Sequence, residues 1–141
     1  MKSTSKTFRL TLRSNPKQIR RVEGLLKRVS DYIPLNEIQM HKLMVAVTEA
    51  ANNAIIHGNK MDPKKVARIT CEVDPPWITF VISDEGGGFD PSKVSSPLEQ
   101  ENLLKASGRG IFLMRTLMDK VDYRINEHGV RVELRLNISS Q

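Results

Sequence analysis

The run Trp77-Ile-Thr-Phe-Val-Ile-Ser83 constrains the fold more than any other stretch of the chain. Ile78, Phe80 and Ile82 alternate with Trp77, Thr79 and Val81, so both faces of an extended segment are largely apolar. Period-two alternation predicts a strand, and a strand apolar on both faces belongs inside a sheet. The same alternation puts Asp84 in phase with Ile78, Phe80 and Ile82. An acid that closes an apolar row is carried toward a semi-buried place. Glycines follow at once, in Asp84-Glu-Gly-Gly-Gly88.

The rest of the chain supplies partners for that strand. Residues 7 to 13 alternate Phe8, Leu10 and Leu12 with Arg9, Thr11 and Arg13, the pattern of a half-buried strand. Asn15-Pro16 predicts a helix start, with Asn as N-cap and Pro at the first helical position. Ile19, Val22, Leu26, Val29 and Ile33 carry that helix to about Tyr32, before Pro34. Asn36 with Gln39 spells a capping box for a second helix running to about His57, with Gly58 as its stop. Its core stripe is expected to be Met40, Leu43, Met44, Val47, Ala51 and Ala54, with Lys42, Ala46, Glu49 and Asn53 in line on the opposite side. Residues 66–73 read as a strand, and Asp74-Pro-Pro76 as a turn. From Gly86 to Ala106 no periodicity persists, which predicts a long binding loop or lid. Gly108 and Gly110 open a third helix. Residues 121–125 and 130–138 read as a hairpin turning at Glu127-His-Gly129.

The order β-α-α-β-β-α-β-β neither alternates as βαβ nor segregates fully. It predicts an α+β fold, a two-layer sandwich with three helices on one face of a mixed, mostly antiparallel sheet. At 141 residues the expectation is a single domain spanning 1–141. Cys71 is the only cysteine, which excludes an intramolecular disulfide and a cysteine-built zinc site and fits a reducing cytoplasm. No apolar leader or run of transmembrane length is visible, so neither a signal peptide nor a membrane association is expected. The net charge of +6 is concentrated near the N-terminus. Without an aromatic ladder or a nucleic-acid motif, that excess reads as a solvated face or a dock for an acidic protein, not as a nucleic-acid interface.

Three motifs carry chemistry. Glu49 and Asn53 lie one turn apart on one helix face. A carboxylate there can take a proton from a hydroxyl, and the amide oxygen of Asn53 can ligate Mg²⁺, which favours oxygen ligands and nucleotide phosphates. Two adjacent Asn in mid-helix are poor for propensity, which points to a function for one of them. Asp84, at the floor of an apolar slot, can accept the exocyclic amine of adenine, while Gly86 and Gly88 let the backbone approach the ring. Gly108-Arg-Gly110 at a helix start offers N–H groups and the positive end of a dipole to phosphates, with Lys105 and Arg109 adding charge. Neither a P-loop nor a Rossmann fingerprint is present.

Taken together, the motifs resemble the GHKL ATPase superfamily, in its branch of bacterial anti-sigma factors and serine-protein kinases. Glu49-Ala-Ala-Asn-Asn-Ala-Ile-Ile-His-Gly58 is similar to that branch's N box. Asp84-Glu-Gly-Gly-Gly88 and Ser107-Gly-Arg-Gly-Ile-Phe-Leu-Met114 are similar to its two glycine boxes. The resemblance implies the Bergerat ATP-binding fold, ATP and Mg²⁺ as cofactors, Glu49 as general base and Asn53 as the metal ligand. It also implies Asp84 as the adenine acceptor, a pocket shaped by Gly86, Gly88, Gly108 and Gly110, and a lid over residues 92–107. The implied activity is phosphorylation of a serine on an anti-anti-sigma antagonist, together with sequestration of a sigma factor, by a homodimer. The alternative is a nucleotide-binding anti-sigma module without kinase turnover. The chain departs from the branch after Gly129, where Val130 and Arg131 replace the usual Thr that follows the glycine, and the lid lacks its Thr-rich stretch.

Overall fold

The computed structural model describes residues 5–86 and 108–139. Five strands form one sheet in the spatial order β1-β2-β3-β5-β4. They are β1 (Lys6–Arg13), β2 (Val66–Asp74), β3 (Trp77–Ser83), β4 (Lys120–Asn126) and β5 (Gly129–Asn137). The mostly antiparallel sheet expected from the sequence is antiparallel at every described pairing. β3 is central, as its two apolar faces require.

Register sorts the side chains into two faces. Phe8, Cys71, Phe80, Leu134 and Val121 form one cross-strand row, and Leu10, Ile69, Ile82, Val132 and Tyr123 the next. Both rows belong to the core or pack against it. The opposite face carries rows such as Thr11, Arg68, Ser83, Arg131 and Arg124. One face is therefore apolar and the other charged, the pattern of an antiparallel sheet covered on one side only.

Three α-helices accompany the sheet: α1 (Arg21–Tyr32), α2 (Glu37–Asn52) and α3 (Gly108–Leu117). The first begins as a 3₁₀ turn, Pro16–Arg20, whose N-cap Asn15 accepts the Lys17 N–H at 2.9 Å. Pro at the first position and the Asn cap act as expected. The capping box of α2 is also formed: Asn36 Oδ1 accepts the Gln39 N–H at 2.7 Å, and Gln39 Oε1 accepts the Asn36 N–H at 3.0 Å. Gln39 Nε2 donates further to the Ile138 carbonyl at 3.0 Å, tying the start of α2 to the chain just past β5.

α2 lies against β3 and β5 and also packs against both α1 and α3. This corrects one expectation. Ala46, placed by periodicity on the polar side, is fully buried, and so is Ala51 on the core stripe. A helix packed against a sheet and two other helices buries a wider stripe than a surface helix does.

Candidate functional site

The row of alternating residues on β3 ends as its phase requires. Ile78, Phe80, Ile82 and Asp84 are all buried. Asp84 extends the ladder by one residue, its N–H donating to the Val130 carbonyl at 3.1 Å. Its Oδ1 accepts two backbone N–H groups, from Gly86 at 3.0 Å and from Val130 at 3.1 Å. Burial pushes the carboxyl above the usual aspartate range, while those two N–H groups and the Lys65 charge oppose the rise. Both bonds fall on one oxygen. Oδ2 accepts none from the described residues and faces Gly58.

Three glycines surround this carboxylate. A Cβ on Gly58 would overlap Asp84 Oδ2, and one on Gly86 would overlap the Gly58 carbonyl. Gly129 has φ +136°, and a Cβ there would sit 2.5 Å from Asp84 Oδ1. The backbone of α2's C-terminal extension, the loop after β3 and the β4–β5 hairpin thus close on one acid with no room for side chains. Gly58 is the expected helix stop, a position that commonly takes a left-handed backbone. Among the described residues the left-handed positions are instead Lys60, Met61 and Gly129, and Gly58 is required by its contact with Asp84. Val130 reaches Asp84 through its backbone, which any residue at that position supplies.

A second set of polar residues, unread in the sequence, braces the same corner. Asn59 is buried with both ends of its amide paired. Its Oδ1 accepts the Glu85 N–H at 2.8 Å, and its Nδ2 donates to Ser14 Oγ at 2.9 Å. Ser14 Oγ in turn donates to the Lys65 carbonyl at 2.7 Å. Glu85 accepts the Val66 N–H at 2.8 Å and pairs with Arg68 at 2.8 Å. The Val66 N–H, and then Arg68, hold the Glu85 carboxyl below its ordinary range. Such bonds span tens of residues in sequence, so no local pattern announces them.

Glu49 and Asn53 stand half-buried on α2, one turn apart, and the Asn53 N–H still donates to the Glu49 carbonyl. At Asn53 itself the helix widens into a π turn, Asn53–Gly58. The Asn59 N–H closes it by donating five residues back, to the Ala54 carbonyl at 2.8 Å. Such π segments are frequent at functional sites, because they re-aim the residues beyond them. Here regular α geometry is kept through Asn52, and the widened turn delivers Gly58 to Asp84. Asn53 Nδ2 is buried without a hydrogen-bond partner among the described residues. A buried amide N–H left unpaired costs about 1–3 kcal/mol, so this donor fits an acceptor such as a phosphate oxygen, while a cation would be held by Oδ1. No cluster of three or more His, Cys, Asp or Glu suited to a metal ion occurs among the described residues. A cation at Asn53 would thus draw its other ligands from water and phosphate.

Gly108, Arg109 and Gly110 form the first turn of α3, the helix start expected of them. Gly88, Lys105 and the lid lie outside the described residues. A cavity of about 500 Å³ lined by Arg13, Ser14, Asn15, Pro16, Met61 and Pro63 contains none of the expected site residues. Cys71 is packed in the core with its thiol pushed up to about 12, a protonated and inert group, as its place in a strand predicted.

The family model described as histidine kinase-like ATPase domain matches residues 12–136. The chain is 27% identical over 141 residues to the serine-protein kinase RsbW of Bacillus subtilis, covering 95% of this chain and 87% of that protein. It is 33% identical over 98 residues to the anti-sigma F factor of Clostridium novyi, covering 67% of this chain and 68% of the relative. In fold it is similar to the histidine kinase domain of the Erythrobacter litoralis EL346 blue-light activated histidine kinase. That likeness has a TM-score of 0.55 at 14% identity and covers 89% of this chain and 62% of the other.

Proposed function

Because this chain belongs to the histidine kinase-like ATPase domain family, we propose that it is an ATP-dependent serine-protein kinase and anti-sigma factor. It phosphorylates an anti-anti-sigma antagonist, sequesters a sigma factor and regulates transcription by partner switching. It works in the cytoplasm, as a homodimer. No helix among the described residues is long and apolar enough to cross a membrane.

The observation that carries the reading is the divided carboxylate of Asp84. One oxygen accepts two backbone N–H groups, and the other accepts none from the described residues and lies against Gly58. Such a carboxylate suits a base that offers one N–H donor, and adenine offers its exocyclic amine. Asp84 therefore anchors the base, with Gly86 and Gly88 lining it. The first turn of α3 turns its N–H groups to the phosphates, Gly108 and Gly110 allowing close approach and Arg109 and Lys105 adding positive charge. Asn53 would hold Mg²⁺, which would shield the phosphate charge. Glu49 accepts the proton of the substrate serine as its oxygen attacks the γ-phosphorus. The bond from that phosphorus to the β–γ bridging oxygen breaks, and ADP departs.

The test is transfer of radiolabelled γ-phosphate from ATP to the antagonist. Removing a general base lowers such a rate by about 10²–10⁴-fold. Glu49→Ala is expected to lose that much while still binding ATP in calorimetry. Transfer at the wild-type rate would withdraw the base assignment. Binding without transfer by the wild-type chain would select the second reading, an anti-sigma module without turnover, which the replacement of the family Thr by Val130 favours.

A further inference from the structure

We propose that Asn59 and Ser14 act as a clamp that positions Asp84, and that they thereby set how strongly the site prefers a base carrying an exocyclic amine. The inference deepens the reading of Asp84 as the adenine acceptor and rests on it.

The geometry is specific. Gly58, against Asp84 Oδ2, immediately precedes Asn59. Glu85 immediately follows Asp84, and Gly86 beyond it abuts the Gly58 carbonyl. The bond from the Glu85 N–H to Asn59 Oδ1, at 2.8 Å, therefore joins the two segments that flank the open oxygen of Asp84. Asn59 is itself held from behind by Ser14 at 2.9 Å, and Ser14 by the Lys65 carbonyl at 2.7 Å. Both ends of the Asn59 amide are spent, so its orientation is fixed. No such constraint is needed merely to end a helix, since the Asn59 N–H already closes the π turn on Ala54 with its backbone.

A carboxylate oxygen discriminates between bases only if it is held at hydrogen-bond distance from the amine. Hydrogen bonds weaken steeply with misalignment. Releasing the Glu85 N–H unties the segment after Asp84 from Asn59 and so loosens Oδ2 beside Gly58. Asp84 keeps its Oδ1 and backbone bonds to Val130, and the bond to the base weakens first. Stacking and phosphate contacts do not depend on that oxygen. Asn59 and Ser14 are thus positioning residues, acting through Asp84.

The experiment is calorimetric titration of the full chain, with Mg²⁺, by ATP and by purine riboside triphosphate, which lacks only the exocyclic amine. A hydrogen bond to a charged group contributes about 1.5–3 kcal/mol, so wild type should prefer ATP by tenfold or more. Asn59→Ala is expected to lose that preference through weaker ATP binding, with analogue affinity changed less than twofold. Ser14→Ala, which leaves Asn59 in place but unbraced, should reduce the preference severalfold, and it decides the matter if Asn59→Ala does not fold. A preference kept by these variants, or equal losses for both nucleotides, overturns the clamp. Asp84→Ala separates the two levels. If it leaves the preference intact, the adenine reading falls and the clamp with it. If it abolishes the preference while the clamp variants retain it, the clamp alone falls.

Discussion

At the scale of single residues, the adenine role proposed for Asp84 stands in opposition to stability. Its burial raises the carboxyl above the ordinary aspartate range, against the pull of the Gly86 and Val130 N–H groups and of Lys65. A carboxyl raised in the folded state contributes stability below its unfolded value and loses it as pH rises through the folded value. At neutral pH the charged group therefore costs stability. Asp84→Asn is expected to melt at or above the wild-type temperature at pH 7. The difference should shrink as pH falls through the window between an ordinary aspartate and the raised value. The same variant should bind ATP at least tenfold more weakly in calorimetry, since its open atom becomes a donor. Wild-type affinity should begin to fail at a higher pH than an ordinary aspartate would dictate. The burial of Asp84 was legible, because phase along β3 fixes it. The partners that divide its oxygens were not. Val130 lies 46 residues away, and nothing in the identity of Gly58 says that it faces a carboxylate.

At the scale of elements, α2 is the organising piece, and its two ends differ in how they are encoded. The N-terminal end is written in four residues. Asn36 and Gln39 satisfy each other's backbone N–H groups, and the structure has the box as the sequence spells it. Replacing an Asn cap by Ala costs about 0.5–2 kcal/mol. Asn36→Ala is expected to lower the unfolding free energy by that amount, read as a lower urea midpoint with an unchanged slope. The C-terminal end has no such signature. No residue type encodes a π turn, so the widening over Asn53–Gly58 was invisible, although it is what aims Gly58 at the site. Ala46 was misplaced for a related reason. Periodicity reports that a helix has an apolar side, but the width of that side depends on how many neighbours it meets. α2 meets the sheet and two helices.

At the scale of the whole molecule, the chain order of strands and helices was readable from local patterns, while their spatial order was not. Alternation says which residues of a strand face the core, but not which strand lies beside it. Two of the four pairings are local hairpins, β2 with β3 and β4 with β5. The other two, β1 with β2 and β3 with β5, join distant segments. Loop closure must precede the gain from such distant contacts, which makes them late in folding. Asp84 and Val130 meet across the seam between β3 and β5. In pulse-labelled hydrogen exchange during refolding, the Asp84 amide is expected to gain protection after the amides within the two hairpins. Simultaneous protection would place the seam in the early structure instead. The same seam has a consequence during synthesis. A chain on the ribosome has made every residue of Glu49, Asn53 and Asp84 well before Val130 is added. Its carboxylate then lacks the hairpin that divides its two oxygens. Under the adenine role proposed for Asp84, nucleotide binding would wait until the β4–β5 hairpin has been made.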